Sequence, residues 1–285
     1  MWIFYSILSA FGWSTSDLFS KKALGQGYPE TALLWIRYLL SLPFLLPFLF
    51  FIDVPHLDAF FFRLHFVWLP AEITALFLYL RAIKLSPLSL TIPYLSLTPV
   101  FLIATQYFIL GEKINSLAFL GIMLVVMGSY LLAATSSSGG MLNPVRALLR
   151  EKGSLLMVLV ALLYSFTSVF GKLLIEHSSP LFFSVYYTFL MALILSPVGF
   201  RSATKAEKGA LRPVFLASIF FALMIVSHML ALFRANVAYM IALKRLSGVF
   251  SVIYGGLFLR ERFLWQRLLA ASLMVGGAVI IGVLG

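Results

Sequence analysis

Lys244 and Arg245 stand side by side inside AYMIALKRLSGVFSVIYGGLFL, residues 238–259, a run that is otherwise apolar. A helix of that length, at about 1.5 Å per residue, crosses the roughly 30 Å hydrocarbon core of a bilayer. Each cation at mid-depth costs about 2.5–3.5 kcal/mol on insertion scales. Two adjacent ones need an explanation. Either their long stems carry the charges out to a head-group layer, or they face a polar cavity and hold an anion. There Arg offers a planar fork to carboxylate or phosphate and Lys a point charge. Adjacent residues leave a helix on different sides, so both would have to reach head groups in different directions. That favours the cavity. On a continuous helix Lys244, Ser247, Gly248, Ser251 and Gly255 share one face, which suits either a cavity lining or close helix packing.

Other polar residues fall inside apolar runs. Glu72, with Tyr79 two turns on, lies in LPAEITALFLYLRA. A carboxylate there must neutralise or pair, so Glu72 either answers the Lys-Arg pair, carries a coupled proton, or sits near an interface. Asp17 belongs to a stripe of Ser9, Trp13, Ser16 and Ser20. It is a second candidate for coupling, or the partner of Lys21 four residues on. His228 lies in SHMLALF, where a hydrogen-bonded structural role competes with a proton relay. Trp13, Tyr79 and Tyr94 could stack on a substrate or simply pack. Pro93 and Pro99 free backbone carbonyls, tolerated in a membrane where they face protein or water. Gly121, Gly128, Gly276 and Gly277 are expected at close helix contacts.

These residues are positioned by a chain of 285 residues, 62% hydrophobic and 11% charged, with a mean hydropathy of +1.03. Soluble domains carry about 25% charged residues. The deficit and the recurring apolar runs define an all-α, polytopic membrane protein. Ten helices are predicted, at 2–22, 30–52, 62–83, 87–110, 114–134, 153–175, 180–200, 212–234, 237–259 and 263–284. The net charge of +11 does not imply nucleic acid, because most cations fall in short turns where they set orientation. The absence of cysteine excludes disulfides and thiolate chemistry. No metal motif, phosphate loop or catalytic constellation is present, so no metal, no cofactor and no enzymatic activity are expected. The first run has no basic residue before it and Lys21-Lys22 after it, unlike a cleaved leader.

The two halves, 1–134 and 153–285, resemble each other across a Ser/Gly/Pro-containing linker, 135–152. WSTSDLFSKK (13–22) aligns with YSFTSVFGKL (164–173), and PVFLIATQYFILGEK (99–113) with GVFSVIYGGLFLRER (248–262). Five helices per half is an odd number, so the halves enter the membrane in opposite senses. Ten transmembrane helices as two inverted five-helix repeats, with a site near the midplane, is a recurring transporter architecture.

Trp13 and Lys21, Arg37, Pro99-Val100, Gly111-Glu112 and Glu261 give this repeat its resemblance to the EamA repeat. The whole chain resembles a ten-helix permease of the drug/metabolite transporter superfamily, departing from it at Gly248, which stands where Pro99 does in the first half. The resemblance implies a multi-pass protein of the cell (inner or cytoplasmic) membrane, with a small-molecule substrate, membrane lipid around it, and a monomeric or homodimeric state. It also implies cytoplasmic termini, whereas the basic links after the odd-numbered helices would put the termini outside. Lys244-Arg245 is similar to the pair that contacts phosphate in the superfamily's sugar-phosphate translocators. Those have a further basic residue in the fourth helix, and 87–110 has none. The expectation is a secondary transporter of an anionic or zwitterionic metabolite, working by alternating access. The alternative is a proton-coupled exporter of drugs or other cationic compounds. The expected substrate contacts are Lys244, Arg245, Glu72, Tyr79, Tyr94, Trp13 and His228, with Glu72 and Asp17 as coupling candidates.

Overall fold

The computed structural model describes residues 1–52, 54–85, 92–136, 152–204, 210–250, 253–254 and 265–284. Among them are ten α-helices and two 3₁₀ segments. The helices are α1 (Trp2–Gly25), α2 (Glu30–Leu45), α3 (Ala59–Leu85), α4 (Thr98–Leu110), α5 (Ser116–Ser136), α6 (Lys152–Glu176), α7 (Pro180–Ala203), α8 (Leu211–Arg234), α9 (Val237–Lys244) and α10 (Trp265–Leu284). The 3₁₀ segments are Leu46–Phe50, which continues α2, and Ile92–Leu97, which leads into α4. Five stretches are long and apolar enough to cross a bilayer: Glu30–Phe50, Ala59–Tyr79, Lys152–Glu176, Pro180–Ala203 and Leu211–Arg234. Shorter apolar helices cover Tyr94–Leu110, Ser116–Leu132 and Arg267–Val283. Most of the linker between the halves lies outside the described residues.

Two predicted helices are not single rods. The fourth begins as 3₁₀ and becomes α-helical only at Thr98, with Pro99 in its first turn. Proline there lacks only an N–H that would be orphaned anyway. The ninth stops at Lys244; Arg245 and Leu246 form a turn, and helix resumes at 247–250. Around this break the backbone bonds tighten to three-residue spacing: Arg245 N–H to Ala242 C=O at 3.1 Å, Leu246 to Leu243 at 3.0 Å and Gly248 to Arg245 at 3.0 Å. Bonds of three-residue spacing keep residues three apart in line, so Ser247 stays on the Lys244 side of the turn. Ser251 and Gly255 lie outside the described residues.

Packing divides the chain into two compact units, each drawing helices from both halves. One is Met1–Leu57 with Ile175–Arg234; the other is Asp58–Leu174 with Ala235–Gly285. In the first unit, α1 lies along α8 at Gly12, where a Cβ would come 2.9 Å from the Phe220 carbonyl oxygen. Its serines bond to that neighbour, Ser16 Oγ to Ala217 C=O at 2.8 Å and Ser9 Oγ to Met224 C=O at 3.4 Å. The stripe on α1 is thus largely a packing seam. α2 meets α7 through Trp35, whose ring covers Gly199 and whose Nε1 donates to Ala192 C=O at 3.0 Å.

In the second unit, α5 and α10 touch backbone to backbone. A Cβ on Gly277 would lie 2.5 Å from the Gly121 carbonyl oxygen, and one on Gly128 2.6 Å from that of Ala270. Three of the four predicted packing glycines make this seam. Gly276 faces open space, one residue round the helix from Gly277. α3 is joined to α6 by Trp68 Nε1 donating to Thr167 C=O at 3.2 Å. A cluster of Ala82, Tyr94, Leu95, Met157 and Val160 adds the 3₁₀ segment to that pair.

Candidate functional site

Of the predicted site residues, the second unit holds Glu72, Tyr79, Tyr94, Lys244 and Arg245, and the first holds Trp13, Asp17 and His228. Arg245 is the one around which groups converge. α9 has eight residues, Val237 to Leu243 all buried, and ends on Lys244. That puts Lys244 about 12 Å from the start of the helix. The carbonyls at a helix C-terminus favour cations there. Lys244 is partly buried, and Arg245 caps the helix with its Nε sealed from solvent.

The Arg245 guanidinium donates from Nη2 to Thr98 Oγ1 at 3.1 Å. Thr98 is the first residue of α4, so the bond joins the two broken helices. The breaks are equivalent in the repeat. The alignment of 99–113 with 248–262 sets Thr98 opposite Ser247 and the 3₁₀ segment Ile92–Leu97 opposite 241–246. It sets Leu95-Ser96 opposite Lys244-Arg245, so the cations belong to the second half alone. Interrupted helices meeting at a repeat interface are where ions and polar substrates bind in secondary transporters.

Two phenols, Tyr164 of α6 and Tyr79 of α3, lie within electrostatic reach of this guanidinium. Among the described residues Arg245 has no carboxylate partner, and its Nε has no acceptor. A guanidinium has five donors, so one that gives a single hydrogen bond to a hydroxyl can take a carboxylate or phosphate in two parallel bonds.

Tyr79 thus lies near Arg245; Glu72 is partly buried in α3. Tyr94 is part of the cluster against Met157 and Val160, with Tyr79 and Tyr164 packed beside it. His228 is partly buried in α8. Trp13 lies on α1, while its repeat counterpart Tyr164 is the aromatic beside Arg245. Thr98 and Tyr164 were not singled out from sequence as site residues. The signal for both was the repeat alignment, which places each opposite a residue that was noticed.

Asp17 pairs with Arg37 of α2, Oδ1 to Nη1 at 3.6 Å. The expected partner, Lys21, is exposed at the end of α1. Arg37 also donates to Ser20 Oγ at 3.4 Å and lies over the Phe221 ring at 4.5 Å. To carry a proton Asp17 would first have to part from Arg37.

An all-helical chain of apolar helices in two five-helix repeats, with a half-buried cation between broken helices, defines a polytopic membrane protein of transporter type. The sequence profile of the EamA-like transporter family matches residues 1–134 and again 151–283. The chain belongs to that family, and it is a membrane transporter of the drug/metabolite type. No curated protein matches it. It is similar in fold to a protein of known crystal structure, at a TM-score of 0.82 and 16% identity over 100% of this chain and 99% of that one.

Proposed function

We propose that this protein is a secondary transporter that carries a small organic anion or zwitterion by alternating access, with Arg245 and Lys244 as the anion site. The observation that carries the reading is the Arg245 guanidinium, half-buried with its Nε sealed from solvent at a break between two repeat-related helices, with a hydroxyl and two phenols about it and no carboxylate among the described residues. A cation so placed is costly unless a negatively charged guest spends part of the cycle there. Thr98 orients the guanidinium, Tyr79 and Tyr164 offer hydroxyls or ring faces to the rest of the substrate, and Glu72 is the coupling candidate. Export of cationic drugs is the weaker reading, because the Asp17 carboxylate it would use is already matched by Arg37. The protein works in the cell (inner or cytoplasmic) membrane as a monomer or homodimer.

The test is flux in proteoliposomes against a labelled panel of carboxylates, amino acids and phosphorylated metabolites. Losing a buried charged partner costs about 2–5 kcal/mol, so Lys244→Gln with Arg245→Gln is expected to cut transport by about 30-fold or more at unchanged expression. Flux equal to that of the parent protein overturns the anion site.

A further inference from the structure

We propose that Glu112, Lys172 and Asn236 form an ionic gate that closes one end of the second unit and must part before Arg245 can be reached from that face. The three lie where α4 and α6 finish and α9 begins. Lys172 is buried, and its Nζ bridges Glu112 Oε1 and, at 3.1 Å, the Ala235 carbonyl. Asn236 Nδ2 donates to Glu112 Oε2 at 3.0 Å, while its own Oδ1 caps α9 by accepting the Ala238 N–H at 3.1 Å. Gln106 Oε1 accepts the same N–H at 3.0 Å, and the Asn115 N–H is bonded to the Tyr239 hydroxyl at 3.1 Å. The link before α9 is thus tied to the ends of α4 and α6 at once, with the Glu112 carboxylate joining Lys172 to Asn236.

A buried ion pair is a poor way to hold a fold permanently, since apolar side chains of the same size do it as well or better. It suits a closure that must reopen. The attraction is strong while the pair is dry and falls steeply once water enters, so wetting the pair releases it. Glu112 keeps 31% of its side chain exposed while Lys172 keeps 8%, so water has a point of entry on the carboxylate side. Beyond the tie, α9 leads inward by about 12 Å to Lys244 and Arg245. This goes beyond the transport reading and rests on it only in taking Arg245 as the place to be reached.

The chain has no cysteine, so a single introduced thiol reports access without a substrate. Thr98→Cys places it against the guanidinium. In sealed vesicles a charged, membrane-impermeant methanethiosulfonate is added to one face or the other and the labelling rate is read. Adding Glu112→Gln with Lys172→Met removes both charges and leaves neither stranded. It is expected to raise labelling from the Glu112 face by about 10-fold or more, the scale of a modest population shift, and to leave or lower the rate from the other face. Exchanging the charges, Glu112→Lys with Lys172→Glu, is expected to return the rate towards that of T98C alone. Asn236→Ser keeps the helix cap but drops the arm to Glu112, and is expected to move labelling the same way by less. It supplies the reading should the neutral pair not fold. Unchanged labelling in folded variants overturns the gate, as does an equal rise from both faces, which would report a loosened fold. Because no substrate enters the assay, a failure here leaves the anion site standing, and a failure of the anion site leaves the gate standing.

Discussion

Arg37 in α2 and Arg245 at the end of α9 are both guanidinium groups in apolar helices, one in each compact unit. Arg37 has a carboxylate at 3.6 Å, a serine hydroxyl at 3.4 Å and an aromatic face at 4.5 Å. Arg245 has a threonine hydroxyl at 3.1 Å and two nearby phenols. The charge of the first is answered within the protein, and that of the second is not answered by any described carboxylate. Position in an apolar run does not separate the two cations. The inventory of their partners does.

The largest expected effect is on stability, and it has opposite signs at the two sites. Arg37→Met strands the Asp17 carboxylate, and breaking one side of a buried pair costs about 3–5 kcal/mol. Asp17 is 46% exposed, so the loss should fall at or below the lower end of that range, because solvent screens the stranded charge. Arg245→Met strands nothing and removes a desolvated cation, so its unfolding temperature is expected to match or exceed that of the parent protein. Thermal unfolding of the two purified variants in detergent decides the matter. If Arg245→Met loses as much stability as Arg37→Met, the guanidinium is a structural strut and the contrast is gone.

A smaller effect comes from making the second arginine resemble the first. Thr98→Asp puts a carboxylate where the hydroxyl now meets Nη2, at a helix N-terminus that favours negative charge. The built-in anion should stabilise the resting protein by about 1.5–3 kcal/mol, the worth of a charged hydrogen bond, and abolish transport by occupying the site. Flux through T98D at the parent rate would mean that the substrate does not use Arg245.

The spans and the repeat were legible in the sequence because hydropathy and self-similarity are local signals, and helix ends such as Glu30, Pro180 and Arg234 fell where expected. The break after Lys244 was not. KRLSG contains no proline, and an apolar run reads alike whether its helix is whole or interrupted. Pro93 and Pro99 are a local signal for the equivalent break in the first half, although 87–110 was read as one helix, and only the repeat could have carried that signal across. Asp17 shows the other limit. Lys21 stands one turn away in sequence, but a guanidinium from the next helix takes the carboxylate. The bond from Arg245 to Thr98 spans 147 residues and that from Lys172 to Glu112 spans 60. No spacing rule reaches so far.

The smallest effect tests the hydrogen bond from Arg245 to Thr98 of the first half. Thr98→Val keeps the shape and removes the acceptor at 3.1 Å. A hydrogen bond to a charged group contributes about 1.5–3 kcal/mol, but a guanidinium freed from Thr98 is also freer to turn to a guest, so the two effects oppose. Half-saturating substrate concentration in proteoliposomes should therefore rise by only about 3-fold to 10-fold, equivalent to roughly 0.7–1.4 kcal/mol, with the maximal rate nearly unchanged. That split marks Thr98 as orienting the cation once substrate is bound, equally in the loaded state and in the step that carries it across. A fall in maximal rate with no change in affinity would instead place the Thr98–Arg245 bond in the conformational step. The second arginine would then belong to the moving parts as well as to the site.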